Sequence, residues 1–581
     1  MDYPTIVKGP LEAFPVKPNL SDYQRMREDF RWEDLSAELD WFDNDHINIG
    51  HIAVDAHLKT DRRDKKALIW ENQKGEVEEY TFAELSRLSN RFANVLVKDV
   101  GVQRGDRVFF FLERTPEIFI GILGALKAGA VVGPLFSAFG PDAVKDRMAD
   151  SRAKVLVTSP VLKKKIAEIL PDLPHLDQII VVNRKGAASD PGDVSYEAAM
   201  ASASESFVTV PTSKEDYAIM HYTSGTTGKP KGAVHVHNAV VGHYATARYA
   251  LDLQDDDIYW CTADPGWVTG TSYGIFGPWA NGNTQVVYEG LFSARRWYSL
   301  IEKWRVTVWY TAPTAVRMLM RAGDDLPRQF NLESLRHMCS VGEPLNPEAI
   351  MWGQKVLRKS FHDNWFQTET GAIMIANYAV QDIKPGSMGR PFPGINAGIV
   401  DDEFNELPAG QEGNLAIRTG WPSMFRTYWE QEELYQSLFR NGWYITGDRA
   451  RKDDEGYYYF ISRVDDVINT AGHLVGPFEV ESVLIEHPAV AEAGVIGKPD
   501  PIAMEVVKAF VSLKTGYEPG DDLRNDIRRF VMKRLSTAAA PREIDFIDSL
   551  PKTRSGKIMR RLLRARDLGL PLGDTSTLED D

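Results

Sequence analysis

The chain has 581 residues, which is too long for one ordinary hydrophobic core, so we expect a large multi-lobed domain and at least one smaller domain. Hydrophobic residues make up 43% and charged residues 26%, a composition typical of a globular protein and unlike that of a disordered or fibrous chain. The formal net charge of -15 argues against nucleic acid and anionic membrane surfaces as partners, because long-range repulsion opposes both.

Cysteine spacing and the N-terminal segment favour a cytoplasmic protein. Cys261 and Cys339 stand far apart without CxxC spacing, which indicates neither a disulfide framework nor a zinc site. Residues 1–14 lack the apolar core of a signal peptide and the Arg/Ser-rich character of a transit peptide. The apolar stretch Ile118–Leu135 is interrupted by Lys127 and several glycines, so it predicts a buried helix, turn and strand rather than a membrane span.

The first strongly patterned element is a helix that begins near residue 81. Thr81 and Glu84 form a capping-box pattern ahead of an apolar stripe with helical spacing. Further along, runs rich in β-branched and aromatic residues predict strands. These runs are Val155–Thr158, Ile179–Val182, Ala218–Tyr222 and Val306–Tyr310. Helix-compatible segments separate them, and this alternation predicts an α/β fold.

The composition changes near residue 460. Aromatic residues at Tyr457–Ile461 are followed by the charged segment Arg463–Asp466, a Gly-containing turn and renewed alternation of strand and helix patterns. We therefore predict an N-terminal domain of residues 1–463 and a C-terminal α+β domain of residues 464–581.

The segment TSGTTGKPKG, Thr223–Gly232, follows the predicted strand Ala218–Tyr222 and is suited to polyphosphate. Its glycines allow backbone N–H groups to point at anionic oxygens, and its hydroxyls and lysines add donors and charge. The candidate contacts are Thr223, Ser224, Gly225, Thr226, Thr227, Gly228 and Lys229. A Walker A loop is excluded because Pro230 stands where that motif requires Ser or Thr. A flexible surface loop is the alternative interpretation.

Further motifs follow this loop along the chain. They are GEP at Gly342–Pro344, WFQTETG at Trp365–Gly371, TGD at Thr446–Asp448, SRVDD at Ser462–Asp466 and LPKTRSGK at Leu550–Lys557. With these motifs the chain resembles the adenylate-forming superfamily of acyl-CoA synthetases, adenylation domains and luciferases. Within that superfamily it is similar to the AMP-forming acetyl-CoA synthetases over nearly its whole length. The resemblance implies layered β-sheets and helices in a large acyl- and ATP-binding adenylation domain, followed by a smaller mobile domain that carries a catalytic lysine.

The activity implied by the resemblance has two steps. ATP activates acetate as acetyl-adenylate with release of pyrophosphate, and the acetyl group then passes to coenzyme A with release of AMP. The reaction is reversible and uses ATP, Mg²⁺ and coenzyme A. The implied assembly is a monomer or a small homo-oligomer.

The resemblance also assigns the nucleotide site. Thr368 would donate to the α-phosphate, Glu369 would be the Mg²⁺ carboxylate, and Asp448 would accept both ribose hydroxyls. Arg463 would contact ribose or phosphate, and Lys557 would strengthen its contact with the reacting oxygens in the transition state. The remaining implied nucleotide contacts are Gly342, Glu343, Pro344, Asp363, Asn364, Trp365, Phe366 and Gln367. For Trp365, packing against the nucleotide and a plain core position are equally good interpretations.

Coenzyme A is expected at a turn in the C-terminal domain. The resemblance implies rotation of that domain about a hinge at Asp465, which brings Ala471, Gly472 and His473 beside the adenylate. Gly472 permits close backbone approach, although an ordinary turn glycine is the alternative.

The implied acyl pocket consists of Val268, Thr269, Val341 and Phe366. Acetyl-CoA synthetases commonly have Trp at the position of Phe366 and medium-chain relatives have Gly, so Phe366 predicts a short acid. Propionate stays open as an alternative to acetate, because one methylene in an apolar pocket is worth only about 1–3 kcal/mol.

The chain departs from the family pattern near the hinge. Leu474 stands where an arginine is usual, so either another cation fills that role or weaker phosphate binding suits the reverse reaction. A protein that binds adenylate without turnover is a further alternative, which Glu369, Asp448, Arg463 and Lys557 argue against. A module that feeds a carrier protein is disfavoured because no carrier segment follows residue 581.

Overall fold

The computed structural model describes residues 3–184, 190–223, 230–470, 473–501, 503–553, 558–572, 575 and 578, without the side chains of Asp465 and Leu474. The chain forms mixed α/β layers, as the alternating sequence pattern predicts. Two large sheets and a small antiparallel sheet lie before residue 464, and a further sheet lies after it.

The first large sheet has a parallel centre with antiparallel edges. In spatial order its strands are Arg390–Pro391, Ile375–Ala376, Phe361–Trp365, His337–Ser340, Val308–Thr311, Ile258–Cys261, Thr284–Glu289, Lys66–Asn72 and Val77–Thr81. The parallel strands are almost fully buried, as expected where helices cover both faces.

The second large sheet is parallel apart from one edge, where two antiparallel pairings bring together Thr427–Tyr428, Lys231–Val236 and Tyr217–Thr223. In spatial order its strands are Thr427–Tyr428, Lys231–Val236, Tyr217–Thr223, Val131–Leu135, Arg107–Phe111, Val155–Thr158, Gln178–Val181 and Val194–Ser195. Side chains from both large sheets and from the helices Phe82–Asn94 and Pro116–Lys127 share one hydrophobic core.

Two further sheets complete the strands. The small sheet contains Ala397–Val400, Glu412–Arg418, Trp443–Lys452 and Phe439–Arg440, with Tyr458–Arg463 paired to Trp443–Lys452. The sheet after residue 464 contains His473–Val475, Ile468–Thr470, Met504–Leu513 and Val490–Asp500, with Glu543–Phe546 paired to Met504–Leu513. This last sheet has its own apolar cluster with the helices Pro477–Glu486 and Asp521–Arg534.

The helices have these bounds. α-Helices span Tyr23–Asp29, Trp32–Ser36, Ile49–Ala53, Phe82–Asn94, Pro116–Lys127, Pro141–Ser151, Pro160–Lys165, Tyr196–Ser202, Ala239–Tyr249, Val268–Thr271, Gly277–Ala280, Ala294–Trp304, Pro313–Arg321, Pro347–Trp352, Glu432–Ser437, Pro477–Glu486, Asp521–Arg534 and Arg560–Leu568. 3₁₀ turns span Leu11–Ala13, Asp55–Lys59, Asp61–Asp64, Ala167–Asp172, Pro327–Gln329 and Val464–Asp466, and π-helical turns span Val95–Asp99, Ser272–Phe276 and Gly353–Leu357.

The predicted capping box is present: the Thr81 side chain accepts from the Glu84 N–H, and the Glu84 carboxylate accepts from the Thr81 N–H. The stretch predicted as a buried helix, turn and strand forms Pro116–Lys127 and Val131–Leu135. Throughout the described ranges, no helix is long and apolar enough to cross a membrane.

The predicted strand at Val306–Tyr310 begins later, at Val308. Arg305 adopts a left-handed conformation at φ 52° where helix Ala294–Trp304 ends, so Val306 belongs to the turn that redirects the chain. Val306 is nevertheless fully buried, which explains why its hydrophobicity resembles that of a strand residue.

Candidate active site

The candidate site lies where parallel strands of the first large sheet end. Strands Ile258–Cys261, Val308–Thr311, His337–Ser340 and Phe361–Trp365 all run in one direction, so their carboxyl ends meet at the same edge. Ligands of open α/β sheets bind outside such edges. The loops that leave these strands carry the predicted acyl-pocket residues and the GEP and WFQTETG motifs.

These loops line one cavity of about 2270 Å³, which is larger than a typical small-molecule pocket of about 300–1,000 Å³. The described residues predicted as nucleotide, metal or acyl contacts all reach its wall. They are Thr223, Val268, Thr269, Val341, Gly342, Glu343, Pro344, Asp363, Asn364, Trp365, Phe366, Gln367, Thr368, Glu369, Asp448 and Arg463. The cavity can therefore hold a nucleotide and an acid together.

Several predicted residues lie outside the described residues, namely Ser224, Gly225, Thr226, Thr227, Gly228, Lys229, Ala471, Gly472, Lys557 and the Asp465 side chain. The segments that flank Lys557 do reach the cavity, through Lys552 and Thr553 before it and Arg560 after it. Lys552 and Ile558 pair as an antiparallel bridge. This bridge brings together the two ends of residues 552–558, which include Lys557 and are called the lysine segment below. The predicted coenzyme A contact His473 belongs to the described residues. It is exposed and does not line the cavity.

Asp448 is held in a fixed orientation by three neighbouring side chains. Its Oδ2 accepts from Trp365 Nε1 at 2.9 Å and from Gln367 Nε2 at 3.0 Å, and its Oδ1 lies 3.0 Å from Arg463 Nη1. Tyr444 donates to Gln367 Oε1 at 2.9 Å, which orients that amide. Burial raises the pKa of Tyr444 well above its ordinary value, so its hydroxyl stays a donor. The carboxylate is set before any ribose arrives.

Asp448 and Arg463 meet because of strand register. Strand Trp443–Lys452 pairs with Tyr458–Arg463, and this register places Asp448 opposite Arg463. Trp365 is 8% exposed, belongs to a hydrophobic core cluster and also lines the cavity, so its packing against the nucleotide stays a prediction.

Glu369 is held by a neighbour that the sequence did not indicate. Tyr428 donates its hydroxyl to Glu369 Oε1 at 2.7 Å, and the Phe425 N–H donates to the Glu369 carbonyl at 3.0 Å. Burial and the nearby Glu369 carboxylate raise the pKa of Tyr428 far above its ordinary value, so the phenol stays protonated. Lys231, near the end of the segment Thr223–Gly232, lies with Nζ 5.6 Å from the centre of the Tyr428 ring.

This arrangement fits a magnesium ion shared with phosphate groups. In the described part of the chain, no group of three or more His, Cys, Asp or Glu side chains could hold a metal ion. Mg²⁺ usually takes one or two protein carboxylates together with waters and substrate phosphates. A single oriented carboxylate at a cavity wall, as in Glu369, matches that preference.

The predicted acyl pocket is bounded behind Phe366 by an aromatic cluster. The Phe366 ring meets Tyr273 edge to face at 5.4 Å, and Tyr273 meets Tyr310 at 5.7 Å. The Tyr273 hydroxyl accepts from the Ile373 N–H at 2.6 Å and pairs with Thr246 Oγ1 at 2.8 Å. Tyr273 is therefore fixed, and the space beyond Phe366 is filled.

The turn Gly342–Pro344 is held from the helix Pro313–Arg321. Arg317 Nη2 donates to Glu343 Oε2 at 2.7 Å, and Thr314 donates to the other carboxylate oxygen. Arg317 and Thr314 also lie three residues apart on one helix face and are joined at 2.7 Å. The i,i+3 spacing was the available sequence signal for this pair. Tyr428 and Tyr273 had no comparable signal, because their partners come from distant segments.

Comparisons with known proteins agree over the whole chain. Residues 55–429 match the family model of AMP-binding enzymes, and residues 479–557 match the model of the AMP-binding enzyme C-terminal domain. The chain is 52% identical to the acetyl-coenzyme A synthetase of Bacillus subtilis (strain 168), over 98% of this chain and 99% of that protein. It is 41% identical to the acetyl-coenzyme A synthetase of Methanothrix thermoacetophila, over 93% of this chain and 86% of that protein.

Solved structures show the same architecture. An anthranilate CoA ligase in complex with anthranoyl-AMP superposes with a TM-score of 0.83 at 30% identity, over 92% of this chain and 99% of that chain. The acyl-CoA synthetase of Brucella canis has a TM-score of 0.75 at 36% identity, over 94% of this chain and 99% of that chain.

Proposed function

Since this chain belongs to the acetyl-coenzyme A synthetase family of AMP-binding enzymes, we propose that it converts acetate, ATP and coenzyme A to acetyl-CoA, AMP and pyrophosphate. One observation carries the proposal: the described candidate nucleotide, carboxylate and acyl residues all line the same cavity. Two anions can only react if one site holds them together and compensates their charge.

The first step forms acetyl-adenylate. A carboxylate oxygen of acetate attacks the α-phosphorus, and the bond from that phosphorus to pyrophosphate breaks. Thr368 contributes a hydroxyl to the α-phosphate, and Lys557 stabilises the charge that develops on the reacting oxygens. Bound at Glu369, Mg²⁺ would neutralise charge on the phosphates. The Tyr428 hydrogen bond directs the Glu369 carboxylate for that task.

Nucleotide position follows from the preset carboxylate of Asp448. A carboxylate has two acceptor oxygens and no donor, which suits the two hydroxyls of ribose. Trp365 and Gln367 fix the plane of the Asp448 carboxylate, so this side chain loses little conformational freedom when the nucleotide binds. The Gly342–Pro344 turn is assigned to adenine.

The second step forms the thioester. The sulfur of coenzyme A attacks the acyl carbon, its proton is lost to solvent or a base, and AMP leaves. We assign this step to a rotated C-terminal domain, residues 464–581, with the hinge at Asp465 and with Ala471, Gly472 and His473 beside the adenylate. The exposed position of His473, together with the cavity-lining flanks of Lys557, supports the present arrangement as the one for adenylation.

Acetate is the preferred acid in this proposal, because the ordered aromatic cluster behind Phe366 leaves little depth. Propionate is the second candidate, since one methylene changes binding by only about 1–3 kcal/mol. A protein that binds adenylate without turnover is disfavoured by Glu369, Asp448 and Arg463, all of which reach the cavity. We further propose a cytoplasmic enzyme that acts as a monomer or small homo-oligomer.

The test is acid-dependent exchange between pyrophosphate and ATP with acetate, propionate and butyrate. We expect the highest kcat/KM with acetate, a lower value with propionate and little exchange with butyrate. Exchange that is absent with all three acids in the presence of Mg²⁺ would refute the proposal. Exchange that is fastest with propionate would change the substrate and keep the reaction class.

A further inference from the structure

Arg317 connects the Gly342–Pro344 turn to Asn346. Besides its ion pair with Glu343 at 2.7 Å, Arg317 approaches Asn346 Oδ1 with Nη1 at 3.3 Å. The Arg317 side chain is only 15% exposed, so its hydrogen bonds form in a largely dehydrated environment. Asn346 is 3% exposed and directly precedes helix Pro347–Trp352.

Asn346 reaches across to the C-terminal part of the chain. Its Nδ2 donates to Ser482 Oγ at 2.9 Å, and Ser482 lies on helix Pro477–Glu486. The amide therefore accepts from Arg317 with its oxygen and donates to Ser482 with its nitrogen, which uses both ends of one side chain. This geometry is satisfied only when helix Pro477–Glu486 lies against the 343–346 segment.

The same helix holds the residue that follows the lysine segment. Glu481, which precedes Ser482, pairs with Arg560 through Oε1 and Nε at 2.8 Å. Arg560 begins helix Arg560–Leu568 and lies three positions after Lys557. Arg560 also lies 3.4 Å from Asp466, beside the proposed hinge. Two sets of polar contacts, joined by the chain neighbours Glu481 and Ser482, thus connect the Gly342–Pro344 turn to Arg560.

We infer that Arg317, Asn346 and Ser482 are positioning residues that dock the C-terminal domain in the orientation for adenylation and so place the lysine segment over the nucleotide. The inference rests on the proposed two-step reaction and adds to it the contacts that select one orientation. Because Asn346 and Ser482 belong to opposite sides of the proposed hinge, their hydrogen bond exists in one orientation and is lost in the other. It therefore stabilises the orientation in which the first step occurs and not the orientation of the second step.

Arg317 gives this contact a link to the nucleotide. Glu343 belongs to the turn assigned to adenine, and the same guanidinium holds Glu343 and Asn346. A bound nucleotide that orders the Gly342–Pro344 turn also orders Arg317, and this favours docking of the C-terminal domain. By linkage, docking of that domain increases the affinity for the nucleotide.

The experiment compares the two half-reactions in Asn346→Ala, Ser482→Ala and the double variant. Adenylation is measured by acetate-dependent pyrophosphate exchange, and thioester formation is measured from supplied acetyl-adenylate and coenzyme A. Ser482→Ala should slow exchange by about five- to tenfold, the effect of one lost hydrogen bond, with thioester formation unchanged within about twofold. Asn346→Ala should slow exchange at least as much, because it also loses the contact with Arg317. The double variant should resemble Asn346→Ala, because the contact between Asn346 and Ser482 is already absent there.

Arg317→Gln supplies a second readout. Arg317→Gln removes the charge that holds Glu343 and also the link to docking, whereas Ser482→Ala weakens nucleotide binding only through the linkage. Both variants should slow exchange, and KM for ATP should rise more in Arg317→Gln than in Ser482→Ala. The matched control is Ser512→Ala, which removes a buried hydroxyl that donates to the Asp548 carbonyl at 3.3 Å inside the C-terminal sheet. Both half-reactions should stay within about twofold in the control.

Equal losses in the two half-reactions, additive effects in the double variant, or unchanged exchange would each overturn the inference. If the Asn346 variant does not fold, Ser482→Ala alone decides, because Ser482 is only partly buried on a helix surface. Failure of the proposed function itself would look different, since the unmodified protein would then show no exchange with any acid.

Discussion

The indole N–H of Trp365 donates to Oδ2 of Asp448 at 2.9 Å, although the two residues lie 83 positions apart. Trp365 ends a strand of the first large sheet, and Asp448 lies within a strand of the small antiparallel sheet. The hydrogen bond therefore ties the two sheets together at the point where ribose is expected to bind. A preset carboxylate loses less freedom on binding than a mobile one, so this contact affects nucleotide affinity more than chemistry.

Trp365→Phe should weaken nucleotide binding with little change in kcat. The variant keeps a large ring at the cavity wall and removes only the donor to Asp448. Of the two donors to Oδ2 of Asp448, Gln367 then remains. We expect KM for ATP to rise by about five- to tenfold, the net effect of one typical hydrogen bond, because Asp448 keeps its other partners. Trp41→Phe is the control, since the Trp41 indole donates to the Ser36 carbonyl at 2.8 Å and neither residue lines the cavity. An unchanged KM would separate Trp365 from ribose binding.

Tyr428→Phe should raise the concentration of Mg²⁺ that the enzyme requires. The substitution keeps the ring and removes the donor that orients Glu369 at 2.7 Å, so the carboxylate must be ordered when the metal binds. Half-saturation by Mg²⁺ in pyrophosphate exchange should rise by about three- to tenfold, whereas KM for acetate should not change. Tyr435→Phe, in the same aromatic cluster, should leave the Mg²⁺ requirement as it is. A loss of kcat without a shift in Mg²⁺ dependence would contradict this role.

Phe366→Ala should allow the enzyme to accept acids with longer chains. Tyr273 behind the ring is fixed by Ile373 and Thr246, so it cannot move forward to fill the space that Phe366 leaves. Each added methylene should gain about 1–3 kcal/mol of binding, which predicts a rise of at least tenfold in the ratio of kcat/KM for butyrate over acetate. Phe366→Trp should move the ratio of propionate to acetate the other way. An unchanged chain-length profile would place the acyl group elsewhere.

Lys557→Ala and Gly472→Leu should separate the two half-reactions. Loss of the lysine charge should slow adenylation by about 100-fold or more and spare thioester formation from supplied acetyl-adenylate. A leucine at Gly472 should block the close approach of coenzyme A and leave pyrophosphate exchange largely intact. Stopped-flow measurement of each half-reaction distinguishes them. If either variant loses both steps equally, the assignment of that residue fails.

The sequence could predict the main site residues because they occur in short runs attached to strand ends. Trp365 ends a buried parallel strand, and the residues that follow it therefore enter the cavity at the edge where Val341 also emerges from its strand. Capping at Thr81 and Glu84 was equally predictable, since both partners lie within one helical turn. Local rules suffice where the partners are local.

The residues that orient the site were not predictable in the same way. Tyr428 reaches Glu369 because its strand pairs with Lys231–Val236, and that edge pairing is decided by tertiary packing. Asn346 and Ser482 are 136 positions apart and carry no motif, so only the docked domains bring them together. Hydrophobicity also misplaced the start of the strand at Val308, because a buried turn residue resembles a strand residue in sequence.

Acid should destabilise the protein through buried histidines. Burial lowers the pKa of His57 to about 4 and that of His221 to about 3, and each Nε2 has a close polar partner, the Trp279 carbonyl at 2.6 Å and Thr271 Oγ1 at 2.7 Å. In the unfolded chain histidine titrates near pH 6.5, so the unfolded state binds more protons below that pH. The stabilising contribution of these neutral rings is complete above pH 6.5 and is lost as the pH falls towards 4.

Urea unfolding at a series of pH values from 7.5 to 4.5 measures this effect. Each buried histidine should lower the free energy of unfolding by up to about 1.4 kcal/mol per pH unit below about pH 6.5. His57→Gln removes one titrating group far from the cavity and should make the curve less steep, although it also lowers stability at neutral pH. A stability that stays constant between pH 6.5 and 4.5, or an equally steep curve in the variant, would show that these rings do not control acid unfolding.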